Sequence, residues 1–261
     1  MKNTLRTALL TVAALATLGM PTLSAQGRPL HEDTAARIVD RYDAMLGIDR
    51  LPADSTLELT TIVTVVGSTD TFIMRRWFAQ PQMLRLEVWH HGDLETGMCT
   101  NGSSRYRRYN HSLGYWVDLQ PLKFHEQYMS YDFRGPLHNW RASAAQLTYK
   151  GKVRVADKGD AMLDAVRVET PGMFTRTYLF DQSGLLTVVF EENEMLDGDL
   201  YGWLEEARID WKCIHEYMPV GSSMLPRLES FKRGGALTVL ETTARLVPRD
   251  NLLFNSDNPK R

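Results

Sequence analysis

Apolar and polar residues alternate with a period of two along most of this chain, and that period is typical of β-strands. Residues 161–193 show the pattern most clearly, because three short runs alternate there one after another. The residues that share a side within their runs are Val166 and Val168, then Phe174, Arg176, Tyr178 and Phe180, then Leu186, Val188 and Phe190. Asp181 can bond its own backbone and Gly184 tolerates a positive φ, so a tight reversal fits between the last two runs. The stretch therefore predicts a three-stranded antiparallel meander.

Neither face of this predicted meander is cleanly polar. Leu179, Leu185 and Val189 lie opposite the aromatic residues, whereas a sheet with one face in water alternates more strictly. We therefore expect one face to line a groove and the other to support the wall of that groove.

The rest of the chain predicts one helix followed mainly by strands. Apolar residues recur at helical spacing within residues 31–47, and Gly47 is placed to end this helix. Asn101-Gly102 is the strongest two-residue turn signal in the chain and predicts a hairpin. Further runs with a period of two are residues 55–66, 69–78, 83–91, 94–100, 104–110, 202–218, 225–233 and 236–247. The count is about ten or eleven strands, and a sheet of that size curls.

Residues 111–145 interrupt the alternation. Phe124, Tyr128 and Tyr131 fall on one helical face, so helices and loops rich in aromatic residues are predicted here. An irregular segment of this length inside a β meander is typical of a functional loop. We expect it to form a flap over one face of the sheet.

The first 25 residues have the features of a secretory signal peptide. Lys2 and Arg6 precede an uncharged run at residues 8–19 that is too short to span a bilayer, and Leu23-Ser24-Ala25 offers small residues for cleavage. The next residue is Gln26, whereas a lipoprotein signal has a cysteine there. We therefore expect a soluble, exported protein without a lipid anchor, in the periplasm or secreted.

The mature chain, residues 26–261, is predicted to be a single domain, because no linker or composition break divides it. Loss of the signal peptide removes two basic residues and no acidic one, which changes the formal net charge from −2 to −4. A nucleic-acid binder would carry a basic excess, so that class of partner is not expected.

Four motifs after the N-terminal helix carry a family resemblance. They are TNGSSRY at residues 100–106, YKG at 149–151, YLFDQSGLL at 178–186 and LPR at 225–227. Their order and spacing, around a helical insert, resemble the outer-membrane lipoprotein-sorting family, which includes the periplasmic lipoprotein carrier and its outer-membrane receptor. The resemblance implies a mainly β (α+β) fold, a strongly curved antiparallel incomplete β-barrel of about 10–11 strands with helices covering its open side. It also implies an apolar cavity that takes up acyl chains.

The chain departs from the family pattern at one turn. The family's carrier has a lid-locking arginine directly before the proline of the turn between its second and third barrel strands. The matching turn here is Ala79-Gln80-Pro81-Gln82, so Gln80 stands at that position. Arg75 and Arg76 are close in sequence but out of register with it.

An acyl-chain site needs a dry cavity and a removable cover, and few polar groups. Apolar residues of the early strands and of the insert are suitable lining, and the alternative is that they fill a closed core. The candidate lipid-binding residues are Phe72, Met74, Phe78, Leu84, Leu86, Val88, Phe124, Tyr128 and Met129.

No sequence motif predicts a cofactor, a catalytic site or a metal site. His90-His91 with Glu95 is the densest histidine cluster, but adjacent residues of a regular strand point to opposite faces, so the pair is not expected to chelate. Cys99 and Cys213 are expected to be two free thiols, with a bridge as the alternative that an exported protein permits.

These observations predict a monomeric, non-enzymatic carrier or chaperone that shelters the acyl chains of lipoproteins or lipids. Inner- or outer-membrane proteins would be its other partners. The alternative is a periplasmic sensor or interaction module on the same fold, which would report the state of the envelope to a membrane protein.

Overall fold

The computed structural model describes residues 30–121, 123–124, 137–138, 140–141, 144–154, 161–170, 174–191, 211–233 and 235–255. Helix α1 spans Leu30–Leu46, and Gly47 follows it with φ +61°, so the predicted helix and its end are confirmed. The described strands are β1 (Ser55–Val65), β2 (Thr71–Ala79), β3 (Met83–His90), β4 (Asp93–Thr100), β5 (Tyr106–Asn110), β6 (Tyr115–Asp118), β7 (Gln146–Arg154), β8 (Met162–Thr170), β9 (Phe174–Phe180), β10 (Leu186–Glu191), β11 (Trp211–Val220), β12 (Ser223–Arg233) and β13 (Ala236–Pro248).

All thirteen strands belong to one curved antiparallel sheet, in the order β6-β5-β4-β3-β2-β1-β13-β12-β11-β10-β9-β8-β7. The long pairing of β1 with β13 joins the N-terminal and C-terminal halves of the chain, from Ser55 opposite Pro248 to Val65 opposite Thr238. Strands β6 and β7 are the two edges, and the described ranges contain no pairing between them. The mainly β, incompletely closed architecture that was predicted is confirmed.

The described residues form two more strands than the upper predicted count. Strand β6 lies inside residues 111–145, where helices and loops were expected. It was not predicted because its four residues are too few to show a period of two. Loop 101–105 also differs from the predicted two-residue turn. Asn101 Oδ1 accepts hydrogen bonds from the backbone N–H groups of Ser103, Ser104 and Arg105 at 3.0–3.1 Å, so this side chain closes a longer loop.

The central meander is present as predicted, with the exception of one strand face. Asp181 Oδ1 accepts a hydrogen bond from Leu185 N at 2.9 Å and Gly184 has φ +93°, which confirms the tight reversal. A register shift between Leu186 and Val188 then changes the parity of β10. Leu186 packs on the side of the sheet that faces α1, whereas Val188 packs on the opposite side. The prediction that Leu186, Val188 and Phe190 share one face was therefore wrong.

The sheet has two packed faces. We call the side that packs against α1 the inner face and the opposite side the outer face. The largest apolar cluster lies on the inner face and combines residues of α1 with residues from both halves of the sheet. The outer face carries three smaller clusters, one of them formed by Trp77 and Ala79 with Leu253 and Phe254 of a C-terminal 3-10 helix, Asn251–Phe254.

Cys99 and Cys213 are unbridged, in agreement with the expectation of two free thiols. Both pack against outer-face clusters. Burial raises the pKa of the Cys99 thiol, so this group is expected to react slowly with alkylating reagents.

The described residues contain no helix with both the length and the apolar character that crossing a bilayer requires. The predicted signal peptide, residues 1–25, lies outside the described residues.

Candidate ligand site on the inner face

The structure places the candidate residues of β2 and β3 together on the inner face. Met74 and Phe78 of β2 and Leu84 and Leu86 of β3 are all buried in the large apolar cluster, and Val88 packs against it. The pairing of β2 with β3 sets Phe78 opposite Leu84 and Met74 opposite Val88. Because side chains of one parity share one face of a sheet, these residues form a continuous apolar surface.

Phe72 lies at the rim of this surface. It has the same parity as Met74, it pairs with Val63 of β1, and its ring stacks on His90 with centroids 4.3 Å apart. Phe124 of the insert is fully buried and packs edge-on against Tyr106 of β5 at 5.4 Å. Tyr128 and Met129, the other two candidates, lie outside the described residues.

Helix α1 and part of the insert cover the inner face. Ala35, Val39, Tyr42 and Leu46 recur at helical spacing and are buried in the inner-face cluster, and Tyr42 meets Phe180 edge-on at 5.6 Å. From the insert, Phe124 and Leu137 are buried in the same cluster, and Trp140 packs against it. We call α1 together with Phe124, Leu137 and Trp140 the cover. The expected flap over one sheet face is thus present in its described part.

Polar contacts on the exposed side of α1 join the two parts of the cover. Asp40 accepts two hydrogen bonds from Arg141, both at 2.7 Å, and one from Trp140 Nε1 at 3.0 Å. Asp43 Oδ1 lies 2.8 Å from His138 Nδ1. The contacts with Arg141 and Trp140, in that order, lower the pKa of the Asp40 carboxyl group. The insert is therefore attached to the helix by hydrogen bonds and ion pairs that water can replace.

The C-terminal end of α1 is held by turns at one end of the sheet. Gln80 Nε2 donates hydrogen bonds to the backbone oxygens of Ile48 at 3.3 Å and Asp49 at 2.9 Å. Ser223 Oγ donates to the Gly47 oxygen at 3.1 Å. Gln80 stands where the carrier of the lipoprotein-sorting family has its lid-locking arginine. In this chain its side-chain amide donates hydrogen bonds to the backbone directly after α1.

Two charged residues that the sequence reasoning did not select also lie within the inner face. Arg76 is 6% exposed and donates a hydrogen bond to Thr61 Oγ1 at 3.0 Å, and Thr61 is 2.9 Å from the Thr242 hydroxyl. Glu229 is 4% exposed and forms an ion pair with Lys212. Both could have been found from their parity. Arg76 shares its parity with Phe72, Met74 and Phe78, and Glu229 shares its parity with Phe231.

Two tyrosines, the buried Tyr42 and the partly buried Tyr217, complete this polar lining. Tyr217 donates a hydrogen bond from its hydroxyl to the Leu186 oxygen at 2.7 Å. Burial raises the pKa values of Tyr217 and Tyr42, so both phenols stay neutral and serve as hydrogen-bonding groups. The inner face is thus an apolar surface with a few polar groups that already have partners, as in many small-molecule sites.

Solved structures from several bacteria share this architecture. A LolA superfamily protein from Nitrosomonas europaea has a TM-score of 0.55 at 10% identity, with 85% of this chain and 98% of that chain covered. The chain shares that fold. A DUF1329 family protein from Desulfovibrio piger gives 0.56 at 9% identity, covering 86% and 97%. A domain assigned to outer membrane lipoprotein sorting, from Vibrio parahaemolyticus, gives 0.54 at 9% identity, also covering 86% and 97%.

The comparisons support the resemblance that the motifs indicated, at the level of the fold. No family model matches the sequence, and no curated protein matches it either. At such low identity the comparisons show a shared fold.

The contacts of Asp40 lead to a prediction about acid stability. Asp40→Asn should lower the free energy of unfolding at pH 7 by at most about 1 kcal/mol, because the ion pair with Arg141 is half exposed. The lowered pKa means that this contribution is complete above the usual value of 3.8 and is lost as the pH falls through the lower folded-state value. Urea unfolding followed by tryptophan fluorescence between pH 7 and pH 2.5 measures the difference.

Arg141→Gln is the matched control for this prediction. If the two residues act through one ion pair, the double variant should lose less stability than the sum of the two single variants. A difference between wild type and Asp40→Asn that is the same at every pH would contradict the assignment.

Proposed function

We propose that this protein is a periplasmic carrier or chaperone that shelters the acyl chains of a lipoprotein or lipid on its inner face. The observation that carries the proposal is that the described candidates of β2 and β3 lie on this one face, while Phe124 packs against it as part of a cover whose two parts are joined by polar contacts. The shared fold is consistent with this role, and so is the predicted signal peptide. The proposed activity is binding, without a chemical step.

Acyl binding on this face requires the cover to move, because the inner-face residues are buried in the present structure. The three larger side chains that α1 buries are Val39, Tyr42 and Leu46, and burying each contributes roughly 1.5–3 kcal/mol. Burial of an acyl chain contributes about 0.8 kcal/mol per methylene. A chain of about twelve methylenes therefore offsets the loss of the helix contacts, whereas a short chain does not.

Binding of a fluorescent long-chain fatty acid tests this proposal. Val88→Gln places an amide on the partly buried edge of the inner-face cluster, and we expect it to weaken binding roughly tenfold, since about two methylene contacts are lost. Ile73→Gln is the matched control, because Ile73 is 39% exposed on the outer face of the neighbouring strand. Its affinity should equal that of the wild type.

Native mass spectrometry and organic extraction should find bound lipid in protein purified in the presence of membranes. Failure of both lipid detection and probe binding would overturn the proposal. Equal losses of affinity in Val88→Gln and Ile73→Gln would show that binding occurs away from the inner face. A pull-down from envelope extracts that retains one membrane protein, with no lipoproteins, would favour the sensor instead of the carrier.

A further inference from the structure

Three potential metal ligands converge at the rim of the inner face. Asp70 directly precedes β2, His90 is the last residue of β3, and His91 begins the turn into β4. Among the described residues, one nitrogen from each histidine and one carboxylate oxygen of Asp70 all lie within 4.8 Å of one another. The cluster thus joins the connection between β1 and β2 to the turn between β3 and β4.

The backbone at His91 explains why these two adjacent histidines can act together. Strand β3 ends at His90, and His91 has φ +49° in the left-handed region, followed by Gly92 with φ +91°. The sequence argument against chelation assumed a regular strand, and that assumption is wrong at this position. The turn brings the His91 ring over the His90 ring, with centroids 4.0 Å apart, while Phe72 stacks on His90. Glu95, the third member of the predicted cluster, lies 3.5 Å from His111 instead.

The distances fit a shared ion better than direct hydrogen bonds. Each Nε2 atom, of His90 and of His91, is 3.7 Å from Asp70 Oδ1, which is too long for a hydrogen bond. Ligand atoms around a tetrahedral Zn²⁺, at bond lengths of about 2.0–2.1 Å, are separated by about 3.4 Å. The Nε2 atom of His90 is buried and has no hydrogen-bond partner among the described residues. Ser68 Oγ accepts a hydrogen bond from Asp70 N at 3.0 Å and thereby orders the carboxylate segment.

We propose that Asp70, His90 and His91 bind one divalent transition-metal ion of the zinc class. Two imidazoles with one carboxylate suit Zn²⁺, whereas Ca²⁺ and Mg²⁺ prefer a set of oxygen ligands. His91 and Asp70 are more than half exposed, so the fourth coordination position faces water. The ion ties two hairpin ends together at the rim beside Phe72. The proposal does not depend on acyl binding.

Titration of the metal-stripped protein with Zn²⁺, in competition with a chromogenic chelator, tests the site. We expect one Zn²⁺ per chain, and His91→Ala and Asp70→Asn should each weaken its affinity roughly tenfold or more, since even the loss of an outer-shell partner costs a metal site 10–100-fold. These two side chains are exposed, so the variants are expected to remain folded, which circular dichroism checks. Substitution with Co²⁺ should give the visible absorption of a tetrahedral site in the wild type.

His111→Ala is the matched control, because His111 also faces a carboxylate, that of Glu95, but no other described residue adds a third ligand to this pair. It should bind Zn²⁺ like the wild type. Absence of stoichiometric Zn²⁺ binding to the wild type would overturn the proposal. So would an affinity that His91→Ala and Asp70→Asn leave unchanged, since the ion would then be held elsewhere in the chain.

Discussion

Replacement of Arg85 by alanine is expected to lower the free energy of unfolding by about 3–5 kcal/mol, because it leaves the Glu87 carboxylate buried without its counter-ion. Both side chains are fully buried on the outer face, and Arg85 Nη2 lies 2.6 Å from Glu87 Oε1. Arg85 Nη1 also donates to the backbone oxygen of Leu253 at 2.7 Å, so the variant removes a hydrogen bond to the C-terminal 3-10 helix as well. Chemical denaturation at neutral pH measures the loss.

Two controls separate burial of the charge from the presence of an ion pair. Arg227→Ala also removes an arginine with carboxylate partners, but its pairs with Glu216 and Glu241 are about half exposed, so it should lose much less stability than Arg85→Ala. The double variant Arg85→Met with Glu87→Leu removes both buried charges and should be more stable than Arg85→Ala alone. A loss below 1 kcal/mol for Arg85→Ala would mean that water reaches Glu87.

This pair shows what alternation along a strand predicts and what it leaves out. In β3 the period of two correctly separated Leu84, Leu86 and Val88 from Arg85 and Glu87. The charged parity looks like a face in water, yet Arg85 and Glu87 are 0% exposed. They are covered by Trp116 and by the C-terminal 3-10 helix, far away in sequence. Periodicity assigns a residue to a face, but the distant segment that packs on that face depends on the complete topology.

Gly97 is a second example of a contact that the alternation could not predict. A Cβ atom at this position would come within 2.6 Å of the Trp116 ring. The missing side chain therefore allows Trp116 of β6 to lie against β4 and above Arg85. Strand β6 itself was not predicted, so neither the glycine nor the tryptophan could be assigned this role from the sequence.

Local irregularities limited the prediction of the inner face and of its rim. The shift after Leu186 sends Val188 to the outer face, and the left-handed turn at His91 turns its ring toward His90. Both depend on backbone geometry at a single residue, which a period of two cannot encode. The candidate lining of β2 and β3 was predicted well because these strands pair in regular register from Phe72 to Ala79. The sequence showed the parity of Arg76 and Glu229, but identifying their partners required the packed structure.

Leu86→Ala is expected to lower the free energy of unfolding of the lipid-free protein by about 2–5 kcal/mol. Leu86 is fully buried in the inner-face cluster beneath the cover, and truncation of a close-packed leucine removes its burial and leaves a cavity. If the lipid-free groove were open to water, Leu86→Ala would lower the free energy of unfolding much less. Chemical denaturation with and without a long-chain fatty acid measures both states, and Leu113→Ala, at a position 54% exposed, should change stability little in either.

The stability of Leu86→Ala in the presence of lipid tests the proposed function. A bound acyl chain stabilises the folded protein in proportion to the logarithm of its free concentration over its dissociation constant. If the chain occupies the inner face, it can fill the space that Leu86→Ala creates, and the fatty acid should stabilise this variant at least as much as the wild type. Loss of stability without any gain from the fatty acid would indicate that the inner face is a closed core and not an acyl-chain site.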